Sequence, residues 1–300
     1  MLNSDERLKK DKTELVVIVG PTASGKSALA LAVAKQFNGE IISADSWQVY
    51  KGFDIGTSKP GKEEQAKVKH HLIDVADASG GFNAPKFKAL AEKAIENIRN
   101  RGRVPILVGG TGLYIDSVLY DFGFLPNLGA AERAELDSMD LKDLLSLSAV
   151  RKVDLSGVDV RNKRRVIRAI EAGGEKPSRK ELMSGTLIIG IHLPTEELEM
   201  KVAKRVEQMI HDGLEQEVKG LAAKYGWEIE AMKGIGYQQW RDYFGGSQSL
   251  DETKDLIVKA TLALAKRQWT YLKRNPQIKW FDSPEKAHYF IVQTLTESSL

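Results

Sequence analysis

Eight residues near the start of this 300-residue chain have the types and spacing of a phosphate-binding loop. They follow the pattern G-x-x-x-x-G-K-[ST], in which glycines turn backbone N–H groups toward an anion, a lysine adds a full positive charge and a hydroxyl can hold Mg²⁺. The residues are Gly20, Pro21, Thr22, Ala23, Ser24, Gly25, Lys26 and Ser27. An apolar run precedes them and a helical pattern follows. The N-terminus of this helix would add a partial positive charge. The segment predicts a polyphosphate site without saying which compound carries the phosphates.

Asp45 follows the apolar pair Ile41-Ile42, and three interpretations of it remain open on position alone. It could hold Mg²⁺ as the acid of a nucleotide hydrolase or kinase. It could instead be a general base aimed at an acceptor beside the phosphates. The third interpretation is a turn or N-cap aspartate with no chemical role.

Arg205 and the adjacent histidines are the other candidates for chemistry. Arg205 could reach back to a leaving phosphate, or it could belong to a solvated helix face beside Lys204. His70 and His71 are neighbours and must point in different directions, which is poor spacing for a metal site. We expect the two histidines to have a structural or hydrogen-bonding role.

Two segments concentrate positive charge. The first carries Arg161, Lys163, Arg164, Arg165 and Arg168. The second, Leu256 to Trp280, contains no acid and interleaves lysines and arginines with Trp269, Tyr271 and Trp280. A solvated helix face normally mixes signs, so this pattern suits a nucleic-acid backbone with stacked bases, with a plain basic surface as the alternative.

Alternating strand and helix patterns must position these residues. Strands are predicted at 15–19, 40–46, 104–108 and 186–193, with a weaker one at Leu72–Val75, and helices at 84–101, 196–212, 214–225 and 251–274. This alternation predicts an α/β fold with a parallel sheet flanked by helices. Ligands of such sheets bind beyond the carboxyl ends of the strands, where Ser27, Asp45 and Thr111 are expected to gather.

The middle of the chain is helical, charged and short of strand patterns. We therefore predict a phosphate-loop core formed by residues 1–120 and 186–300, which includes basic C-terminal helices, and an inserted helical lobe at 121–185. No run of eighteen apolar residues predicts a membrane span, and the polar segment 1–12 does not have the pattern of a signal peptide. The absence of cysteine excludes disulfides, thiolate zinc sites and cysteine nucleophiles, and it suits a cytoplasmic location.

Eight segments together resemble a known family. They are residues 20–27, 42–50, 54–60, 70–74, 109–114, 164–170, 233–237 and 265–268. In this order, over most of the chain, they resemble the bacterial tRNA dimethylallyltransferases, also called tRNA isopentenyltransferases (the MiaA family). The resemblance implies a P-loop NTPase-like fold and transfer of a dimethylallyl group from dimethylallyl diphosphate to N6 of the adenosine on the 3′ side of the anticodon.

The resemblance also implies roles for the candidate catalytic residues. Asp45 resembles the family's general base, which selects one of its three interpretations. Lys26, the loop N–H groups and a Mg²⁺ ion held by Ser27 would stabilise the leaving diphosphate. Thr22 and Thr111 would orient the donor phosphates and the adenine, and Arg205 matches an arginine near the diphosphate.

The tRNA contacts implied by the resemblance lie in several segments. They are Asp45, Ser46, Trp47 and Gln48; Thr111; Arg133; Arg164, Arg165, Val166, Ile167 and Arg168; and Lys233, Gly234, Ile235, Gly236, Tyr237 and Gln238. The target base would be flipped into a channel that the diphosphate enters from the other end. Partners are thus tRNA and dimethylallyl diphosphate, with no membrane partner and a monomer as the default.

Three other functions remain as alternatives. An isopentenyltransferase acting on free adenine nucleotides would need neither the lobe nor the basic C-terminal helix. A P-loop kinase would use Asp45 as a metal ligand, and a nucleic-acid-binding module would keep the phosphate loop only for structure. The motifs outside the phosphate loop argue against the last two.

Overall fold

A computed structural model describes residues 13–125 and 129–298 of the chain. The polar segment 1–12, which does not have the sequence pattern of a signal peptide, lies outside the described residues. The described part forms two compact units. One combines the residues up to Leu119 with those from Leu182 onward, and the other spans Tyr120–Glu181, which overlaps the predicted lobe.

The larger unit is built on a parallel sheet, which confirms the predicted fold class. Its strands are Leu15–Val19 (β1), Gly39–Ala44 (β2), His70–His71 (β3), Val104–Gly109 (β4), Thr186–Ile191 (β5) and Lys279–Phe281 (β6). The spatial order is β3-β2-β4-β1-β5-β6, with every pair parallel. All five side chains of β1 are buried, as expected for a central strand covered on both faces.

Twelve α-helices occur among the described residues. In the larger unit they are Lys26–Gln36 (α1), Lys62–Lys67 (α2), Ala84–Asn100 (α3), Gly112–Leu119 (α4), Thr195–His211 (α8), Leu214–Tyr225 (α9), Arg241–Phe244 (α10), Leu250–Leu272 (α11) and Pro284–Ser298 (α12). The smaller unit holds Ala130–Ser138 (α5), Leu141–Val150 (α6) and Lys163–Glu171 (α7). The four helices predicted from apolar spacing are confirmed to within two residues at each end.

Strand register brings three loops to one edge of the sheet. Gly109, the last residue of β4, pairs with Val19 at the end of β1 and with Ala44 at the end of β2. The segments that follow these three strands carry the phosphate loop, Asp45 and Thr111. The sheet therefore delivers the predicted site residues to its carboxyl edge, as parallel α/β sheets do.

The weaker strand prediction is wrong. The strand of this region, β3, covers only His70–His71, and the predicted residues Leu72–Val75 form a turn beyond it. Leu72 has φ +62° and Asp74 has φ +56°. Both values lie in the left-handed region, which is incompatible with extended backbone.

The smaller unit has its own apolar core. Leu136, Leu144, Val166, Ile167 and Ile170 pack together and are nearly or fully buried. The side chain of Asn162 accepts the Arg165 N–H and caps the N-terminus of α7. The amphipathic pattern of α7 places its apolar face in this core and its arginines outside.

A buried carboxylate braces the amino end of β2. Glu40 is 1% exposed and accepts hydrogen bonds from Arg101 (2.8 Å) and Arg103 (2.9 Å), while His71 lies 2.6 Å from it. Burial alone would raise the pKa of Glu40, but the His71 and Arg101 contacts lower it below its ordinary value of 4.5. The hydrogen-bonding role expected for His71 is confirmed.

We predict that Glu40→Gln lowers the free energy of unfolding by about 2 kcal/mol at pH 7, because the negative charge that pairs with two arginines is lost and one arginine loses its acceptor oxygen. A carboxyl group whose pKa is lowered by folding contributes stability above its ordinary pKa and loses it as pH falls. The difference between wild type and variant should therefore shrink below about pH 4.5. Urea unfolding at several pH values measures it. Glu96→Gln, at an exposed position of α3, is the control, and an equal loss in both variants would contradict the prediction.

Candidate active site

The phosphate loop joins β1 to α1 with the backbone shape of an anion site. Ala23 (φ +65°) and Gly25 (φ +90°) adopt left-handed conformations, and Gly25 caps the N-terminus of α1. A side chain at Gly20 would put its Cβ 2.6 Å from the Ile191 carbonyl oxygen, so glycine is required there for close packing on β5. Left-handed residues that alternate with residues of negative φ just before a helix N-terminus form a concave N–H surface that binds phosphates.

The side chains of the loop divide into buried and accessible ones. Pro21, Ala23 and Ser24 are buried, so their side chains cannot reach an anion in the cavity, and Pro21 has no backbone N–H to offer one. The Ser24 hydroxyl lies inside the loop without a hydrogen-bond partner among the described residues. Lys26 and the exposed Ser27 line the cavity beside the loop, and they are the loop's charged and hydroxyl ligands for an anion or a cation.

Lys26 is only partly accessible to water. Its Nζ donates to the Pro21 carbonyl oxygen at 3.1 Å. Burial and the nearby Arg205 charge lower the pKa of Lys26 from 10.5 to about 8, and the Asp45 charge opposes this shift. A phosphate group in the loop would oppose this shift, because a negative charge beside the ammonium favours its charged form.

Arg205 faces the phosphate loop from α8. Its Nη1 donates to the Thr22 hydroxyl oxygen at 3.2 Å, and burial lowers its pKa while Asp45 raises it. The alternative of a solvated helix face is therefore wrong for this residue. Arg205 and Lys26 line the same cavity, and they are close enough for their positive charges to interact.

Asp45 opens the turn that follows β2. Its Oδ1 accepts the N–H groups of Trp47 (2.8 Å) and Gln48 (3.3 Å), which is the geometry of a turn aspartate. Thr111 holds the same turn, because its Oγ1 accepts the Ser46 N–H at 3.3 Å. The carboxylate nonetheless lines the cavity with Lys26 and Arg205, so a structural role for Oδ1 and a chemical role for the group are compatible.

Two chambers meet at this point. The phosphate chamber, about 310 Å³, is lined by the phosphate loop, Lys26 and Ser27. The apolar chamber, about 280 Å³, is lined by Trp47, Val206, Met209, Ile235, Ile257 and Leu264 together with polar groups such as Thr111 and Arg267. Both chambers share Thr22, Asp45, Thr57, Ser58 and Arg205. The geometry thus offers a polar cavity for an anion and an apolar cavity for a flat or branched group, joined beside a carboxylate.

Three residues that line these chambers were not predicted as site residues from the sequence. Gln268 accepts the Thr22 N–H at 2.7 Å, although 246 positions separate the two in the sequence. Thr57 and Ser58 belong to a loop that borders both chambers. Each lies in a segment of the family resemblance, at 265–268 and 54–60, so these segments could have identified them.

The segment 233–238 lies against the turn of Asp45. The Trp47 indole donates to the Ala231 carbonyl oxygen at 3.1 Å, and a Cβ at Gly234 would overlap the indole ring. Lys233, Ile235, Gly236 and Gln238 line the apolar chamber with Ser46 and Trp47. The Gln48 amide donates to the carbonyl oxygens of Thr57 and Ser58, beside the phosphate chamber. Tyr237 is fully buried, so the expected tRNA contact of its side chain is corrected to a supporting role.

The lobe residues expected to contact tRNA differ in exposure. Arg164 and Arg165 are exposed on α7. Val166 and Ile167 are fully buried in the lobe core, so their expected contact with tRNA is corrected to packing. Two further arginines, Arg133 and Arg168, pair with Glu171.

The aromatic residues among the basic C-terminal positions are partly exposed and pack against neighbouring side chains. Trp269 stacks on His192 with ring centroids 3.7 Å apart and meets the edge of Trp280 at 4.8 Å. The Tyr271 hydroxyl donates to Asp116 at 2.8 Å. These contacts give the rings a packing role around α11, and because each ring stays partly exposed, base stacking remains a prediction.

The donor set for Mg²⁺ is incomplete without a ligand. No cluster of three His, Cys, Asp or Glu residues that could hold a metal occurs within residues 13–125 and 129–298. The Ser27 hydroxyl and the Asp45 carboxylate line the phosphate chamber. These residues fit Mg²⁺ when phosphate oxygens complete its coordination, which is how Mg²⁺ usually binds at phosphate loops.

The sequence matches a known family and its curated members. Residues 48–275 match the IPP transferase family. A "tRNA dimethylallyltransferase" of Macrococcus caseolyticus is 37% identical over 298 residues, which cover 95% of this chain and 96% of the relative. A protein of the same name from Streptococcus pneumoniae is 41% identical over 284 residues, with 92% and 95% covered.

Solved structures have the same fold. The full-length tRNA isopentenylpyrophosphate transferase of Bacillus halodurans is similar with a TM-score of 0.73 at 36% identity, covering 96% of this chain and 98% of that chain. A eukaryotic dimethylallyltransferase acting on tRNA reaches a TM-score of 0.71 at 26% identity, covering 89% and 73%. Among the described residues, no helix combines the length and the apolar character needed to cross a membrane.

We predict that the affinity for inorganic pyrophosphate falls as pH rises above about 8, by up to about tenfold per pH unit, because Lys26 loses its proton there in the free protein. Lys26→Arg keeps its charge over this range and should show a flatter profile. Isothermal titration calorimetry between pH 7 and 9.5 measures both. The ligand's own titration is common to both proteins, so their difference isolates Lys26.

The matched control for this experiment is Lys35→Arg, at an exposed position near the end of the same helix. It should follow the wild-type profile. Identical profiles for wild type and Lys26→Arg would show that Lys26 is not the titrating group.

Proposed function

The chain belongs to the IPP transferase family, and on that basis we propose that it transfers the dimethylallyl group of dimethylallyl diphosphate to N6 of the adenosine 3′-adjacent to the anticodon of tRNA. The observation that carries this proposal is the meeting of a phosphate chamber and an apolar chamber at Asp45, Thr22 and Arg205. A donor diphosphate and an acceptor base would enter from opposite sides and react between them.

The phosphate chamber supplies the groups that a departing diphosphate needs. Lys26, Arg205 and the N–H groups of the phosphate loop would bind its oxygens, with Thr22 oriented by the Arg205 bond. Ser27 would help hold Mg²⁺, which neutralises part of the diphosphate charge when bound. These charges act most strongly as the bond to the leaving oxygen breaks, so they stabilise the transition state more than the ground state.

Asp45 would act as the base of the reaction. As the adenine N6 nitrogen forms its bond to the allylic carbon, the carbon–oxygen bond breaks and its electron pair leaves with the diphosphate. The N6 proton passes to the Asp45 carboxylate. Because Oδ1 is fixed by the N–H groups of Trp47 and Gln48, the carboxylate is oriented before the substrate arrives.

The apolar chamber would receive the acceptor base. Trp47 and Ile235 offer apolar surfaces, Thr111 a hydroxyl and Arg267 a positive charge beside it. A base must leave its stack to enter such a cavity, which is usual for enzymes that modify bases. Exposed Arg164 and Arg165 of the smaller unit are proposed to contact the tRNA backbone.

The form in which the protein acts is also a proposal. Both chambers are lined by one chain, which supports a monomer as the active species. A cytoplasmic location is supported by the absence of cysteine and by the tRNA substrate.

The proposal is tested by incubating the protein with labelled dimethylallyl diphosphate, Mg²⁺ and either unmodified tRNA or AMP. We expect label in tRNA, at the adenosine next to the anticodon, and none in AMP. Label in AMP alone would favour an isopentenyltransferase of free nucleotides. Turnover of ATP without prenyl transfer would favour a kinase.

We predict that Asp45→Asn lowers kcat by about 10²–10⁴-fold with little change in tRNA affinity, because the amide cannot accept the N6 proton. Its carbonyl oxygen can still accept the two turn N–H groups that Oδ1 holds. Asp45→Ala removes both functions and should also weaken tRNA binding. Rapid-quench turnover and filter-binding titrations separate the two effects. A loss of tRNA binding in Asp45→Asn without a loss of kcat would make Asp45 a recognition residue.

A further inference from the structure

One carboxylate on α9 collects four hydrogen bonds at the edge of the active site. Glu217 Oε2 accepts the N–H groups of Asp54 (3.2 Å) and Ile55 (2.7 Å). Its Oε1 accepts the Gly56 N–H at 3.2 Å and the Tyr237 hydroxyl at 2.7 Å. Consecutive N–H groups converging on one carboxylate form a strong anchor, because each bond is charge-assisted.

The anchored segment, which we call loop 54–59, is held from a second side. The Lys59 side chain is 3% exposed and bonds the carboxylates of Asp54 and Asp74 at 2.5 and 2.7 Å. It also donates to the Tyr50 carbonyl oxygen at 2.9 Å. Between these two attachments the loop presents Thr57 and Ser58, which line both chambers.

The fourth bond of Glu217 connects the loop to the segment 233–238. Tyr237 is fully buried, and burial together with the adjacent Glu217 charge raises its pKa, so its hydroxyl stays protonated and donates. A Cβ at Gly56 would lie 2.6 Å from the Tyr237 ring, so loop and ring are in direct contact. The neighbours Ile235, Gly236 and Gln238 line the apolar chamber.

We propose that Glu217 is a positioning residue that assembles the two chambers together. It fixes loop 54–59, which borders both chambers, to the segment 233–238, which borders only the apolar one. The proposal rests on the proposed function for its kinetic consequence. Because Glu217 itself lines neither chamber, it acts through the loop and not on the reacting atoms.

The chemistry of the four bonds makes glutamine an informative replacement. Both carboxylate oxygens accept hydrogen bonds, whereas a carboxamide offers one acceptor oxygen and an NH₂ group that would face donors. Glu217→Gln must therefore lose the bonds of Oε1 or those of Oε2. Tyr237→Phe removes a single bond and leaves the three backbone bonds intact.

We expect Glu217→Gln to speed hydrogen–deuterium exchange at the amides of residues 54–56 and to lower kcat about 10- to 100-fold. We also expect KM to rise for both tRNA and dimethylallyl diphosphate, because loop 54–59 borders both chambers. Tyr237→Phe should cause a smaller change of the same kind. All measurements are made well below the melting temperature of each variant.

Glu215→Gln is the matched control. Glu215 lies on the same helix and accepts the Tyr243 hydroxyl at 3.3 Å, but it makes no bond to loop 54–59. Its kinetics should stay within about twofold of wild type. A Glu217→Gln protein that melts earlier but keeps wild-type kinetics and loop exchange would overturn the proposal.

The experiment separates the proposal from the function on which it rests. If the wild-type protein transfers no label to tRNA, the proposed function fails. A comparison of the wild-type and Glu217→Gln proteins then still tests whether Glu217 orders the loop. The measurements are hydrogen–deuterium exchange at residues 54–56 and the affinity for inorganic pyrophosphate. Unchanged values in Glu217→Gln would overturn the positioning role in that case as well.

Discussion

The parallel pairing at the carboxyl ends of β1, β4 and β2 is the constraint on which the site depends. Val19, Gly109 and Ala44 lie in register, so the loops after these strands begin side by side. A Cβ at Gly109 would lie 2.2 Å from the Ala44 carbonyl oxygen, which makes glycine necessary for this approach. Without this alignment, the phosphate loop and the turns of Asp45 and Thr111 would not meet.

The site carries an excess of positive charge, which favours the binding of an anion. Lys26 and Arg205 are both partly withdrawn from water, and burial lowers the pKa of each. Their mutual repulsion is compensated only in part by the single Asp45 charge. A diphosphate brings more negative charge than the site lacks, so Mg²⁺ beside Ser27 is a chemically consistent complement.

Local patterns explain why much of the fold, but less of the site, could be predicted from sequence. The buried strands and the long helices depend on residues close in the chain, and their predicted positions are confirmed. The segment 20–27 joins β1 to α1 as its pattern predicts, and its phosphate binding stays a prediction. Gln268 bonds Thr22 across 246 positions, and Glu217 bonds loop 54–59 across more than 160, so no spacing rule could pair them. The packing of Trp269 against His192 could not be predicted for the same reason, because three α-helices separate the two residues in the chain.

Gly110 and Gly112 pack against α11, so part of the site can form only after the C-terminal region has been synthesised. Cβ atoms at Gly110 and Gly112 would overlap Gln268 and Tyr271, so the turn after β4 is shaped for a helix that begins at Leu250. A ribosome releases the phosphate loop long before this helix exists. Every residue that lines the phosphate chamber precedes Lys233, whereas residues 233–268 supply a large part of the apolar chamber, so the apolar chamber is the last part of the site to be completed.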